Sequence, residues 1–506
     1  MSAKLFYKNK GGGKKTKKLE ESSFKRLPKK NLKLKYYKMG NMRCELLNFL
    51  EKNGVQTRIL EPIKSIPREF FVESKYFNKV YKNESISLGH KQVSNQPSLI
   101  CEMIKLCEFK PEHNVLEIGS GTGYNASIIS KMVKYITTIE HIKELAMEAK
   151  KIFDVLKFKK ILGNNITIIY GDGSKGYLKN SPYDRIIVTA GNYGKVPDGL
   201  EKQLKEGGIL IIPIRLFRDG KRVEHIYKYV KKSGKIERSK HLGVNFVSLK
   251  NSNIPLNDIT MSSKDFSGIV NGRDLNELYS HFIIGNKRCQ LYKMMENQKI
   301  SPKTLEAFKS VPREMFMPFL YIEKSYNNRP HPIGYDQTIS QPSLVAKMID
   351  YLKVKPTDNV LEIGTGYGYH ASLVSLLCEH ITTMDIVLEL VEGAREVYNF
   401  LIKNGILKDN ILVLHGDGYQ GYPEKKPYNK ILLTCGAQKK VPDKLIEQLS
   451  PNGGICVIPI KNRRESDIET LYRYTKNGTN VKEEALIDVR FVPFKKKEEL
   501  KTKIIN

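Results

Sequence analysis

No run of 18 apolar residues occurs in the chain, which excludes a membrane-spanning helix by the length rule. The N-terminus also lacks the short apolar segment of a secretory signal, so the expected compartment is the cytoplasm, with no membrane partner. The seven cysteines (Cys44, Cys101, Cys107, Cys289, Cys378, Cys435, Cys456) form neither a Cys-x-x-Cys pair nor a Cys/His cluster at zinc spacing. No metal site is expected, and the scattered, odd set reads as free thiols in a reducing compartment. Acidic residues are scarce, 54 Asp and Glu against 85 Lys and Arg, for a formal net charge of +31. Residues 1–40 hold 14 Lys and Arg against 2 Asp and Glu, which concentrates the excess in a basic tail around Lys14-Lys15-Thr16-Lys17-Lys18. Such a run is expected to be disordered and solvated, and it offers weak, non-specific contact with nucleic acid or another polyanion.

What is present is a repeat. At an offset of 245 residues Asn41-Met42-Arg43-Cys44 falls on Asn286-Lys287-Arg288-Cys289, and Ile66-Pro67-Arg68-Glu69 on Val311-Pro312-Arg313-Glu314. Pro111–Asn125 then matches Pro356–His370 with ten identities in fifteen, and Val244-Asn245-Phe246-Val247 falls on Val489-Arg490-Phe491-Val492. A period this long is a whole duplicated domain rather than a solenoid unit. The expected organisation is a basic tail over 1–40, a first copy over 41–250, a linker over 251–285, a second copy over 286–498 and a short tail over 499–506. In the first copy, strand-like runs (114–118, 135–140, 166–170, 185–189, 209–214) alternate with helix-length segments such as 143–156. That alternation reads as a parallel, doubly wound α/β sheet, with ligands bound beyond the C-terminal strand ends.

Val115-Leu116-Glu117-Ile118-Gly119-Ser120-Gly121-Thr122-Gly123, repeated as Val360-Leu361-Glu362-Ile363-Gly364-Thr365-Gly366-Tyr367-Gly368, is a strand, a glycine turn and a helix start. The dinucleotide fingerprint Gly-x-Gly-x-x-Gly would need glycine where Tyr124 and Tyr369 stand. Glu140 and Asp385 end the second strand, each 23 residues after Glu117 or Glu362, where a carboxylate can accept from ribose hydroxyls. Asp172-Gly173 and Asp417-Gly418 end the third strand, where an acid can accept from the adenine amine. The set predicts a nucleoside-cofactor site in each copy.

The second copy further carries Val311-Pro312-Arg313-Glu314-Met315-Phe316, Pro332-Ile333-Gly334-Tyr335-Asp336-Gln337-Thr338-Ile339-Ser340-Gln341-Pro342, His415-Gly416-Asp417-Gly418-Tyr419-Gln420-Gly421 and Val489-Arg490-Phe491-Val492-Pro493. In this order and spacing it resembles protein-L-isoaspartate (D-aspartate) O-methyltransferase. The resemblance implies two tandem Rossmann-like class I methyltransferase domains, S-adenosyl-L-methionine as methyl donor, and the free carboxylate of isoaspartyl residues in damaged proteins or peptides as acceptor. It implies Ser340 as the active-site serine, with Thr338, Gln341, Glu362, Gly364, Thr365, Gly366, Asp385, Asp417 and Gly418 on the cofactor side. The first copy keeps Glu117, Gly119, Gly121, Glu140 and Asp172. It has Asn95 at the Ser340 position, Val93 at Thr338, and Asn245 and Ser248 at Arg490 and Pro493. Its cofactor side is retained and its substrate side altered. The second copy departs at Tyr326-Asn327-Asn328-Arg329-Pro330, where the family has Tyr-x-Asp-x-Pro, which leaves its substrate preference open.

His331, His370 and His415 are expected to be structural. Two other functions stay open at this level: a nucleic-acid-directed methyltransferase, and a non-catalytic basic binding protein on the same duplicated fold. Against the first, the fourth-strand ends read Thr189-Ala190-Gly191-Asn192 and Thr434-Cys435-Gly436-Ala437, without the Asn/Asp-Pro-Pro-aromatic motif of amino-group methylation.

Overall fold

The computed structural model describes residues 34–218, 221–250, 254–259, 268–461 and 468–494. The chain divides into two compact units, Leu34–Asn286 and the part that begins at Lys287. Residues 34–40, expected in the basic tail, begin the helix Leu34–Lys52, while Lys14–Lys18 lie outside the described residues. The expected linker is ordered in part. Asn257–Asp258 is a short strand, and the helix Leu275–Asn297 runs through the expected boundary at residue 286.

In the first unit the strands are β1 (Asn114–Ile118), β2 (Tyr135–Glu140), β3 (Ile166–Tyr170), β4 (Tyr183–Val188), β5 (Leu204–Arg218), β6 (Lys221–Lys232) and β7 (Lys235–Gly243). They lie in the order β7-β6-β5-β4-β1-β2-β3, with Asn257–Asp258 added beyond β3. Strands β1 to β5 are parallel, as expected for runs that are apolar on both faces. Strands β6 and β7 extend the sheet beyond β5 as an antiparallel ribbon, outside the five runs read as its parallel part. Its last strands are lysine-rich and β7 is mostly exposed, so they carry no continuous apolar signal. Between β2 and β3 the helix Lys143–Phe158 buries Leu145, Ala146, Ala149, Ile152, Phe153 and Leu156, an i, i+3, i+4 stripe that covers one sheet face.

The second unit repeats this plan with β8 (Asn359–Ile363), β9 (His380–Asp385), β10 (Ile411–His415), β11 (Lys430–Leu433), β12 (Asn452–Lys461), β13 (Glu469–Asn477) and β14 (Asn480–Val489), ordered β10-β9-β8-β11-β12-β13-β14. In each unit a small hairpin precedes the sheet: Ile86–Gly89 with Gln92–Ser94, and His331–Gly334 with Gln337–Ile339. It presents the loop that holds Asn95 or Ser340. Among the described residues no helix is long and apolar enough to cross a membrane, and no cluster of three or more His, Cys, Asp or Glu suits a metal. Cys101, Cys107, Cys378, Cys435 and Cys456 are buried free thiols, whereas Cys44 and Cys289 are disulfide-bonded, against the expectation of seven free thiols.

Candidate active site

In the second unit two adjoining cavities of about 590 and 420 Å³ open at the ends of β8 and β9 and share Gln337, Gly364, Asp385 and Cys435. The first is also lined by Thr338, Ser340, Thr365 and Gly366, the second by Met384, Ile386, Gly418 and Phe494. A groove of about 1450 Å³ lies outside them, walled by Gln341, Lys347, Arg490 and Phe491, which moves Gln341 from the expected cofactor side to the outer groove. Thr338, Ser340, Thr434 and Val492 line both this groove and the first cavity, so the two spaces meet at Ser340.

Asp385 ends β9 facing the cleft. Its Oδ2 accepts from Gly366 N–H at 2.9 Å and its Oδ1 from Val387 N–H at 3.0 Å. Burial pushes its carboxyl above the usual range, while the Gly366 and Val387 amides pull it back toward the charged form. Each carboxylate oxygen has two acceptor sites, so both can still take a hydroxyl donor. The glycine loop approaches because Gly364 (φ +99°) and Gly366 (φ +53°) adopt left-handed backbone, and a Cβ on Gly364 would collide with the Thr434 hydroxyl. The 420 Å³ cavity has apolar walls in Met384, Ile386 and Phe494, with Phe494 stacked on Tyr419 at 3.9 Å between centroids. A hydroxyl-accepting carboxylate, close backbone and an apolar slot fit a ribose joined to a flat base.

Four of the expected cofactor acids, Glu117, Asp172, Glu362 and Asp417, do not line a cleft. Glu362 is completely buried and does not line the cleft. Its Oε2 accepts from the Thr383 hydroxyl at 2.6 Å, and its Oε1 lies 3.9 Å from His370 Nδ1. Glu117 is buried likewise, accepting from Asn125 Nδ2 at 2.6 Å and from the Thr138 hydroxyl at 2.5 Å. Both carboxyls lie beneath the glycine loop, so the expectation that they touch the cofactor is corrected to a supporting role. Strand alternation turns them under the turn instead of into the cleft. Burial pushes Glu362 up to about 8 and holds His370 down to about 3, so at pH 7 this close pair is mainly neutral and is no ion pair.

A pH effect follows. The unfolded carboxyl titrates near 4.5 and the folded one near 8, so the native state holds the extra proton between them and stability falls as pH rises through that window. Glu362→Gln should therefore gain on the wild type from pH 5 to pH 8, by a few degrees of Tm at the ~2–4 °C per kcal/mol of a domain this size. Parallel Tm profiles for the two proteins across that range would refute it.

In the first unit one continuous cleft of about 880 Å³ is lined by Asn95, Gly119, Gly121, Glu140, Gly173 and Thr189 among others. Glu140 repeats the Asp385 geometry, accepting from Gly121 N–H at 2.7 Å and Ile142 N–H at 2.9 Å. Asp172 does not line the cleft. It is completely buried, capping the next turn by accepting from Ser174 N–H at 2.9 Å. Its counterpart Asp417 accepts from Tyr419 N–H at 3.0 Å and is half-buried, but it too lines neither cavity, where its neighbours Gly416 and Gly418 do.

Three arginines received no role in the sequence reading. Arg313, completely buried, donates to the carbonyls of Ser325 (2.8 Å) and Ser340 (2.7 Å), and so fixes the serine loop from below. Arg68 does the same for the Asn95 carbonyl at 3.0 Å. The signal was available, since Pro-Arg-Glu recurs in both copies. Arg215 had no such signal. Buried against Glu224 at 3.2 Å, it donates to the Phe246 carbonyl and the Ser248 hydroxyl, which ties down the first unit's counterpart of the Arg490–Pro493 loop.

A family model for protein-L-isoaspartate(D-aspartate) O-methyltransferase matches residues 41–253 and again 286–499. The chain belongs to that family. Among curated relatives, the protein-L-isoaspartate O-methyltransferase of Fervidobacterium nodosum is 43% identical over 206 residues, covering 40% of this chain and 98% of the relative. That of Dictyoglomus turgidum is 39% identical over 209 residues, covering 41% of this chain and 90% of the relative. Among solved structures, a putative protein-L-isoaspartate O-methyltransferase from Plasmodium falciparum in complex with S-adenosyl-L-homocysteine is 23% identical at a TM-score of 0.36, covering 41% of this chain and 98% of that one. Each relative is thus about the size of one unit. The chain is an S-adenosylmethionine-dependent protein carboxyl O-methyltransferase of isoaspartate repair, with its domain duplicated.

For this methyltransferase, Arg313→Ala should cost on the order of 3 kcal/mol of stability, because two carbonyls lose a charged donor at once. Arg313→Lys cannot span both carbonyls and should lower kcat more than it lowers Tm. Unchanged turnover in the lysine variant would remove Arg313 from the positioning of Ser340.

Proposed function

We propose that the second unit carries the catalysis, and that Ser340, Thr338 and Asp385 are its principal working residues. The supporting observation is that Ser340 and Thr338 line both the inner cavity, with Gly364, Gly366 and Asp385, and the outer groove. When bound, S-adenosylmethionine supplies an electrophilic methyl group. Asp385 and the glycine loop would hold the nucleoside portion, with Gly418 in the wall of the base slot and Thr365 beside the loop. The peptide lies in the 1450 Å³ groove, along Gln341, Lys347 and Arg490. An isoaspartyl carboxylate has a reference pKa below about 4.5, so it is already ionised at pH 7 and needs no general base. The Ser340 hydroxyl donates to it and orients the attacking oxygen, so that position supplies the rate. His331 and His370 are held below their usual range by burial and stay neutral, in keeping with structural roles. The released ester is a better electrophile than the acid; the neighbouring backbone N–H attacks its carbonyl carbon, loses its proton and expels methanol, and the resulting succinimide hydrolyses partly to normal aspartate. We place this repair in the cytoplasm.

The test is transfer of labelled methyl to an isoaspartyl peptide and to its normal aspartyl twin by the intact chain. Base-labile label confined to the isoaspartyl peptide is expected. Label on neither peptide, with S-adenosylhomocysteine still bound, would overturn the assignment.

A further inference from the structure

We propose that the outer groove of the second unit prefers isoaspartyl peptides that carry a further carboxylate, an acidic side chain within two residues of the isoaspartyl position. The proposal rests on the reading of this groove as the peptide site and names the substrates that it favours. Two cations line the groove, Lys347 and Arg490, against one acid, Asp488. Lys347 is half-buried and Arg490 exposed, and among the described residues neither makes a hydrogen bond, an ion pair or a ring contact. Asp488 is engaged by the Thr470 hydroxyl, which donates to its Oδ1 at 3.2 Å. Elsewhere on this unit lysines with a carboxylate in reach pair with it, as Lys440 does with Asp443 at 2.8 Å and Lys444 with Glu447 at 3.1 Å. The groove thus holds two cations that lack a counterion.

Their placement suits a peptide that reaches Ser340. Ser343, Leu344 and Lys347 line the groove from one face of the helix Pro342–Leu352, at i, i+1 and i+4. Lys347 therefore stands about 6 Å farther along the helix than Ser343. An extended chain covers about 3.3–3.6 Å per residue, so a side chain one or two residues from a carboxylate held at Ser340 comes beside it. Arg490 lines the same space from the segment that follows β14, next to Phe491 and Val492. The lysine richness of the chain does not account for this pair. In the first unit the equivalent positions are Glu102, which pairs with Lys105 at 3.6 Å, and Asn245, which accepts from Arg222 at 3.0 Å. A partly desolvated cation without a counterion gains from an incoming carboxylate, and salt screens that attraction.

The experiment uses the full chain and isoaspartyl peptides blocked at both ends, so that only side chains differ in charge. Glu or Gln is placed at each position within two residues of the isoaspartyl on either side, or at a distant position near the peptide end. At low salt at least one near position should give the Glu peptide an advantage of about fivefold in kcat/KM, shrinking at high salt, and the distant position none. The double variant Lys347→Gln, Arg490→Gln should bring the Glu and Gln peptides to within about 1.5-fold of each other. Dissociation constants of the same peptides, measured by fluorescence anisotropy with S-adenosylhomocysteine present, should show the same ratios without any turnover. Three results would each overturn the proposal: equal Glu and Gln peptides in the wild type, a preference that survives in the double variant, or an equal gain at the distant position, which the overall charge of +31 alone would give. Absence of methyl transfer to every peptide, with Glu-dependent binding retained, would sink the catalytic assignment and leave the acid preference standing.

Discussion

Asp385→Ala should weaken S-adenosylhomocysteine binding in the second unit's cleft by about 10²-fold or more, measured by calorimetry, and abolish turnover at ordinary cofactor concentrations. A hydrogen bond to a charged acceptor contributes roughly 1.5–3 kcal/mol, and the carboxylate is placed to take two ribose hydroxyls. The same carboxylate also accepts from Gly366 and Val387 N–H, so the alanine variant loosens the glycine loop along with the ribose contact. Asp385 is half-buried, and bonds made there are stronger than fully exposed ones. A change of less than about threefold would mean that the nucleoside is held elsewhere.

Ser340→Ala should lower kcat roughly 10- to 100-fold on an isoaspartyl peptide, the equivalent of one hydrogen bond to a charged group, with cofactor affinity nearly unchanged. Ser340 sits where the cavity and the groove meet, and its loop is pinned through its carbonyl by Arg313, so truncating the hydroxyl leaves the loop in place. Ser340→Asn reproduces the first unit's Asn95 and should do no better, because the amide is longer and fills the space of the attacking oxygen. The reciprocal Asn95→Ser should leave the first unit inactive, since Arg215 still ties down Phe246 and Ser248 on its substrate side. Loss of cofactor binding in Ser340→Ala, rather than of turnover, would move the serine from the acceptor to the donor side.

Much of the site was legible in advance because its parts are local. Gly364 and Gly366, Asp385 after its strand, and the loop ending in Ser340 are each short segments whose residue types dictate their backbone, and all line one cleft. Glu117, Glu362 and Asp172 were misplaced for a different reason. Their positions in the chain are those of ligand-facing acids, but the direction of a side chain and what covers it depend on neighbours far away in sequence. The antiparallel ribbon β5–β6–β7 escaped notice because edge strands rich in lysine lack the apolar run that marks a buried one.

The duplication, the α/β plan, the glycine loops and the family are legible before any fold is known, since periodicity, spacing and motif order are properties of the chain as written. That Arg313 grips the Ser340 loop, that Glu362 lies under the cleft beside His370, and that Asp172 is buried away from its cleft emerge with the fold alone. Those outcomes depend on which surfaces meet when apolar faces are removed from water, and no local pattern encodes the partner that each face finds.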